Sequence, residues 1–244
     1  MHSALICTLY NKESEFEACL NKIKSQSNVQ IEHKIIANLS EFDAHVSLVN
    51  YINSCKMNFD FIVKIDADSI LSNNNSLSKV FDLISSHKAQ GASLKMFDYY
   101  SESLINGMNF FTPQVEFIKP RKFLFPDRID IPSGSILKGK VVQHLEPIAQ
   151  HCEFPSNMQA YFYGYRRALK QQKEIMGLVA QSYLSKFDEA RAWALIGMKD
   201  SQKSGQFFRR RFFSSHLVYY LYRKRVSEGT NIESEAEKYA RTFH

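Results

Sequence analysis

No stretch of this chain approaches the roughly 20 consecutive apolar residues that a membrane-spanning helix needs, and a soluble or membrane-peripheral protein is expected. The opening, MHSALICTLYNKESEF, has no charged start followed by a long apolar run, so no secretory signal is expected either. Cysteine is scarce. Cys7, Cys19, Cys55 and Cys152 form no C-x-x-C pair and no zinc framework. Cys7, in an apolar strand-like run, and Cys19, on a helix-like face, read as buried free thiols, which suits a reducing, cytoplasmic compartment. Proline is absent beyond Pro155, and all six prolines fall between Pro113 and Pro155. Glycine is missing from the segment Thr8-Leu9-Tyr10-Asn11-Lys12, which excludes a Gly-rich phosphate loop after the first apolar run. That counts against a nucleotidyltransferase.

The 244 residues do hold enough apolar side chain, 44%, to bury a sizeable core, and 23% are charged, as in ordinary globular chains. The formal net charge of +6 favours anionic partners such as phosphates, nucleotides or acidic lipid. Residues 207–225 (FFRRRFFSSHLVYYLYRKR) hold six arginine or lysine residues and no acid. They read as a helix pair of the tail, or as peripheral contact with an anionic membrane at its inner face. Nucleic-acid binding is not expected.

The first hundred residues alternate strand and helix signals. Residues 3–10, 31–39, 60–65 and 92–99 read as strands, and residues 12–26, 42–57 and 73–87 as helices, with Asn73, Asn74 and Asn75 as N-cap candidates. That order predicts an α/β fold, a Rossmann-type, mainly parallel sheet with helices on both faces. Its ligands should bind outside the carboxyl ends of the strands. The proline-bearing middle predicts short strands (109–119, 122–125, 136–144) and long loops. Residues 158–173, 176–198, 206–226 and 233–243 read as helices. The expected division is residues 1–154 as the catalytic domain and 155–244 as a helical C-terminal extension.

The sharpest local signal is FIVKIDADS, residues 61–69, in which an apolar strand runs into Asp66 and Asp68. Two carboxylates at a strand end suit Mg²⁺ or Mn²⁺, which take oxygen ligands and bridge diphosphates. Downstream, His144 and His151 lie in a polar stretch, and imidazole suits Mn²⁺ better than Mg²⁺. With Cys152 the two histidines match no common zinc spacing. Arg166, on a basic and aromatic helix, could clamp a diphosphate. General-base chemistry needs a carboxylate within reach of the proton it takes. Asp98, Glu102, Glu116, Asp127 and Asp130 are the acids of the middle segment, and Glu116 and Asp130 are put forward.

Residues 3–26, SALICTLYNKESEFEACLNKIKSQ, resemble the opening of family-2-type glycosyltransferases with the GT-A fold, through Thr8, Tyr10, Asn11, Glu13, Leu20 and Gln26. Asp66-Ala67-Asp68, about 55 residues on, is similar to their D-x-D motif. The resemblance covers about the first hundred residues. It implies a nucleotide pocket lined by Thr8, Tyr10, Asn11 and Glu13, with Lys64 and Asp66 toward the donor. It further implies a cation, Mn²⁺ or Mg²⁺, on Asp66, Asp68 and a downstream histidine, for which His151 fits better than His144. The acidic turn after the second strand departs from the family pattern, and Asp43 is the residue left to meet the base. The implied activity moves a sugar from a UDP- or GDP-type donor to a glycan or lipid-linked hydroxyl. A basic membrane- or nucleic-acid-binding module is the non-enzymatic alternative.

Overall fold

A computed structural model describes residues 1–118, 136–138, 141–142, 147–208, 215–229 and 231–243. The chain divides into two compact units, residues 1–97 with 104–153, and residues 98–103 with 154–244.

The first unit is α/β. Strand β1 (His2–Tyr10) leads through α1 (Phe16–Lys24) to β2 (Val29–Ala37), and α2 (Glu41–Cys55) leads on to β3 (Phe61–Asp66). Next come β4 (Ser69–Leu71), α3 (Ser76–Ser86), β5 (Gly91–Asp98), β6 (Ser103–Phe111), β7 (Ile136–Leu137) and β8 (Ala149–His151). The sheet order is β2-β1-β3-β6-β5-β8-β4, with β7 beside β5. The pairs β1–β2, β1–β3 and β5–β7 are parallel, whereas β3–β6 and β4–β8 are antiparallel.

Residue choice explains this half of the fold. Ala4 to Thr8 are all wholly buried, as a central parallel strand covered on both faces requires. Edge strand β2 instead mixes exposed and buried positions. On one face Leu5, Cys7 and Ile62 pack against Ala44, Leu48, Val49 and Ile52 of α2. The start of α3 is capped from a distance. Gln26 accepts the Leu77 N–H through Oε1 (3.0 Å) and donates through Nε2 to the Asn73 carbonyl (2.7 Å). Asn75 stands at the N-cap position but makes no side-chain cap.

Chain order and sheet order reverse at β1. The chain leaves β1 for β2 on one side and returns to β3 on the other. Such a switch point opens a crevice outside the carboxyl ends of the two strands. Leu9 pairs with Asp66 across it, and the Ala67 N–H donates to the Leu9 carbonyl at 3.2 Å.

The second unit is helical: α4 (Asn157–Leu169), α5 (Lys173–Lys186), α6 (Glu189–Phe208), α7 (Ser215–Ser227) and α8 (Ile232–Ala240). The expected single helix over 176–198 is two. Phe187 takes the left-handed conformation (φ 52°), and Asp188 accepts the Arg191 N–H at 2.9 Å, so one helix stops and the next is capped within two residues. A capping box at Ser156 and Gln159 starts α4. The turn of residues 98–103 belongs to this unit. Tyr163 donates to Asp98 (2.9 Å), its ring stacks on Tyr100, and the Arg191 Nε donates to the Tyr100 carbonyl (3.0 Å). Further along, Asp200 accepts from Tyr161 and from Arg225 Nε, both at 2.9 Å.

Candidate metal and nucleotide site

Four segments of the first unit form the site. Because β1, β2 and β3 are parallel, their carboxyl ends share one edge of the sheet. The turn Tyr10-Asn11-Lys12-Glu13 leaves β1 there, with Lys12 at φ 69°. The Asn38 N–H donates to the Tyr10 carbonyl at 3.2 Å, which ties in the segment after β2. Asp66 ends β3, and Asp68 lies in the tight turn before β4. The fourth segment arrives by the antiparallel β4–β8 pairing, which sets Ser69 opposite His151 and lets the Cys152 N–H donate to the Asp68 carbonyl at 2.8 Å.

The result is a three-donor cluster. The Asp68 Oδ2 lies 3.7 Å from His151 Nε2 and 3.5 Å from Cys152 Sγ, and Sγ lies 3.6 Å from that same nitrogen. The other carboxylate oxygen, Oδ1, accepts from the Ser69 hydroxyl at 3.3 Å. Ser69 thus fixes the carboxylate so that Oδ2 faces the imidazole and the thiol. Among the described residues, Asp68, His151 and Cys152 are the group spaced to hold a cation. Asp66 is outside it. Its half-exposed carboxylate pairs with Lys64 Nζ at 3.2 Å, and Lys64 Nζ in turn sits 3.4 Å from His45 Nε2.

Negative charge is concentrated here. Glu13 accepts the Asn11 N–H at 2.5 Å. Burial pushes the Glu13 carboxyl up from 4.5 to about 7; the nearby Asp68 and Asp66 charges add to the rise, and backbone N–H groups oppose it. Burial and the same two aspartates also push the Cys19 thiol up to about 12. An acid raised on folding is stable in its neutral form, so its cost appears as pH climbs from 4.5 through 7. In cation-free buffer, unfolding free energy is expected to fall across that window by on the order of 2 kcal/mol. Glu13→Gln should flatten the slope. Denaturant melts at pH 5 and pH 8 measure it, and an unchanged slope in the variant rejects the assignment.

The remaining expected residues fall in several places. Tyr10 is half-buried and stacks on Phe16 at 3.9 Å. Thr8 is 0% exposed, and its hydroxyl meets His33 Nε2 at 2.9 Å; a side chain sealed in the central strand does not line a pocket. Asp43 serves the start of α2, accepting from the Ser40 hydroxyl at 2.6 Å. Glu116 is at the wrong end of the sheet. Strand β6 runs antiparallel to β3, with Phe111 opposite Ile62, so the chain beyond Phe111 emerges at the amino end of β3. There Lys56, just before β3, donates to the Val115 carbonyl at 2.8 Å. Asp66 is the far length of a six-residue strand away, roughly 17 Å.

Asp98 and Glu102 are engaged in the helical unit, by Ser101 and Tyr163 and by Arg191 respectively. Arg166 lies on α4, in that same unit. Asp127, Asp130 and His144 lie outside the described residues, as do Arg209, Arg210 and Arg211 of the basic tract. Of that tract, Arg225 pairs with Asp200 at 2.5 Å and Glu235 at 3.3 Å, and Lys224 with Glu228 at 3.7 Å. Among the described residues no helix is long and apolar enough to cross a membrane.

No family model matches the chain, and no curated protein matches its sequence. Among solved structures, it is similar to TarS of S. aureus, residues 1–349, at 13% identity and a TM-score of 0.42, over 84% of this chain and 72% of that one. The same protein in complex with UDP gives 12% identity and a TM-score of 0.40, over 84% and 71%. The mannosyltransferase PcManGT from Pyrobaculum calidifontis, in complex with GDP-Man and Mn²⁺, gives 10% identity and a TM-score of 0.43, over 99% and 84%.

Proposed function

We propose that this chain is a cation-dependent glycosyltransferase, moving a sugar from a nucleotide diphosphate to a hydroxyl of a glycan or lipid-linked acceptor. One observation carries the reading. Asp68 and His151, 83 positions apart, meet at 3.7 Å beside the carboxyl ends of β1 and β3, where the sheet order reverses. Open α/β sheets bind nucleotides at that place. The motif resemblance of residues 3–26 and 66–68 supplies the sugar-nucleotide class.

The donor set fits a divalent cation: a carboxylate oxygen, an imidazole nitrogen and a thiol within 3.7 Å of one another. Bound there, a cation such as Mn²⁺ supplies the charge that stabilises a departing nucleoside diphosphate. Asp68, aimed by Ser69, and His151 would hold it. Tyr10, backed by Phe16, forms the nucleoside side of the pocket, and the Asn11–Glu13 contact shapes the turn beneath it. Lys64 pairs with Asp66 at 3.2 Å and orients it at the strand end. Of the two acids put forward as acceptor base, Asp130 alone stays in the proposal. The proposed setting is the cytoplasmic side of a membrane, with the basic tract at 207–225 offering its charge to anionic lipid.

Thermal melts test this reading. UDP, GDP and their sugar conjugates are titrated with and without Mn²⁺. A ligand at 100 times its dissociation constant stabilises by about 2.7 kcal/mol, several degrees for a chain of this size. One nucleotide series should give that shift only with the cation. Absence of any shift across all nucleotides rejects the proposal.

A further inference from the structure

Cys152 stands in the cluster for a reason that strand geometry does not supply. In an extended strand, adjacent side chains point to opposite faces. His151 closes β8, and its neighbour should therefore turn its thiol away from Asp68. Instead Cys152 has φ 55°, in the left-handed region that non-glycine residues avoid. That reversal brings Sγ to the same side as the imidazole, 3.6 Å from Nε2 and 3.5 Å from Asp68 Oδ2. The thiol is 3% exposed, held at the inner end of the cluster and out of bulk water.

The three donors lie close enough together to share one cation. Donors at about 2.0–2.3 Å around tetrahedral zinc lie about 3.3–3.6 Å apart. Octahedral Mg²⁺, with oxygens at about 2.1 Å, sets adjacent donors about 3.0 Å apart. The observed 3.5, 3.6 and 3.7 Å are contact distances that one shared cation would draw in, so the choice of metal rests on donor chemistry. Softness sets the preference, since thiolate favours Zn²⁺ and its like over Mg²⁺, for which carboxylate and water suffice.

We propose that Cys152 is a third donor to the Asp68–His151 site, making it an O/N/S centre that selects thiophilic divalent cations over Mg²⁺. The inference rests on the reading that a cation binds at Asp68 and His151. On binding, the Cys152 sulfur gives its proton to solvent and the thiolate joins the metal.

Co²⁺ is the probe. The full chain titrated with Co²⁺ should show a near-ultraviolet thiolate-to-cobalt charge-transfer band along with visible ligand-field bands. Cys152→Ser should lose the charge-transfer band and keep the visible bands, and Cys55→Ser should keep both. Competition with Zn²⁺ and Mn²⁺ should show the Zn²⁺-over-Mn²⁺ preference reduced at least 10-fold in Cys152→Ser, since loss of a direct ligand exceeds the 10- to 100-fold typical of outer-shell partners. Cys152→Gly guards against misfolding. It removes the thiol but suits a positive φ, so its melting temperature should equal or exceed that of the parent. Cobalt bound through Asp68 with no charge-transfer band, or a band that survives in Cys152→Ser and Cys152→Gly, overturns the inference and leaves the cation reading standing. Failure of Co²⁺, Zn²⁺ and Mn²⁺ all to bind overturns both. A Cys152-dependent band in a protein that binds no nucleotide supports the metal centre and rejects the glycosyltransferase.

Discussion

Replacing Asp68 by asparagine is expected to lower metal-dependent hydrolysis of the sugar-nucleotide donor by about 100- to 1,000-fold, with no loss of stability in cation-free buffer. The carboxylate Oδ2 is the atom that faces both His151 and Cys152. An amide keeps the shape and can still accept from Ser69 through its oxygen, but it carries no charge to hold a cation. Electrostatic assistance of several kcal/mol to a departing diphosphate goes with it, and each 1.36 kcal/mol is tenfold in rate. Stability should move the other way. The half-buried Glu13 carboxyl sits at about 7 chiefly because it is desolvated, and the Asp68 and Asp66 charges add to the rise. Removing one of those charges relaxes the site, as expected where function is held against stability. Glu13 should then titrate closer to 4.5, and the cation-free protein should melt at the same temperature or higher at pH 8. Donor hydrolysis and melting curves on the same preparation separate the two effects. A variant that loses activity only because it unfolds sinks the argument. So does one that keeps full metal-dependent turnover.

The parts of this site that were legible in the sequence are those carried by long apolar runs. Strands β1 and β3 announce themselves because a strand buried on both faces is apolar throughout, and the polar turn after each marks the carboxyl edge. His151 was placed with Asp68 by family resemblance, since three-residue strands such as β4 and β8 are too short to show a period. Cys152 sat next to it in plain view, but alternation assigns adjacent strand residues to opposite faces, and only the φ reversal undoes that. Its place in the motif puts Thr8 in the pocket lining, although the run around it already requires burial on both sides. Glu116 escapes the sequence for a different reason. A segment's pattern reveals that it is a strand but not its direction in the sheet, and the antiparallel β6 carries Glu116 to the opposite edge. The break at Phe187 was hidden because neither Gly nor Pro marks it. Asp188, three residues before Arg191, was the available signal.

The helical unit offers a prediction with an internal control. Helices α4 and α6 approach so closely that each uses a glycine against the other's backbone. A Cβ on Gly164 would lie 1.8 Å from the Ala194 carbonyl oxygen, and one on Gly197 would lie 2.1 Å from that of Tyr161. Neither obstacle is a side-chain end that can swing aside; a whole helix must move by more than 1 Å through a packed interior. Ala160, Tyr161, Ala194 and Leu195, all 0% exposed, line that interior. Alanine at either position gains up to about 1 kcal/mol of helix propensity over glycine, but overpacking costs about 1–3 kcal/mol, and more against rigid backbone. A net loss of about 2–3 kcal/mol is expected for Gly164→Ala and for Gly197→Ala, roughly 10 °C in melting temperature. Gly164→Val, branched at Cβ, should prevent the unit from folding. The control is Gly177 on α5, where an added Cβ meets nothing within 4 Å. There alanine keeps its propensity advantage unopposed, and Gly177→Ala should raise the melting temperature by a few degrees. The sign difference between two identical chemical changes isolates the helix contact from any general effect of removing glycine. Equal shifts at positions 164 and 177 would show that α4 and α6 do not pack backbone to backbone.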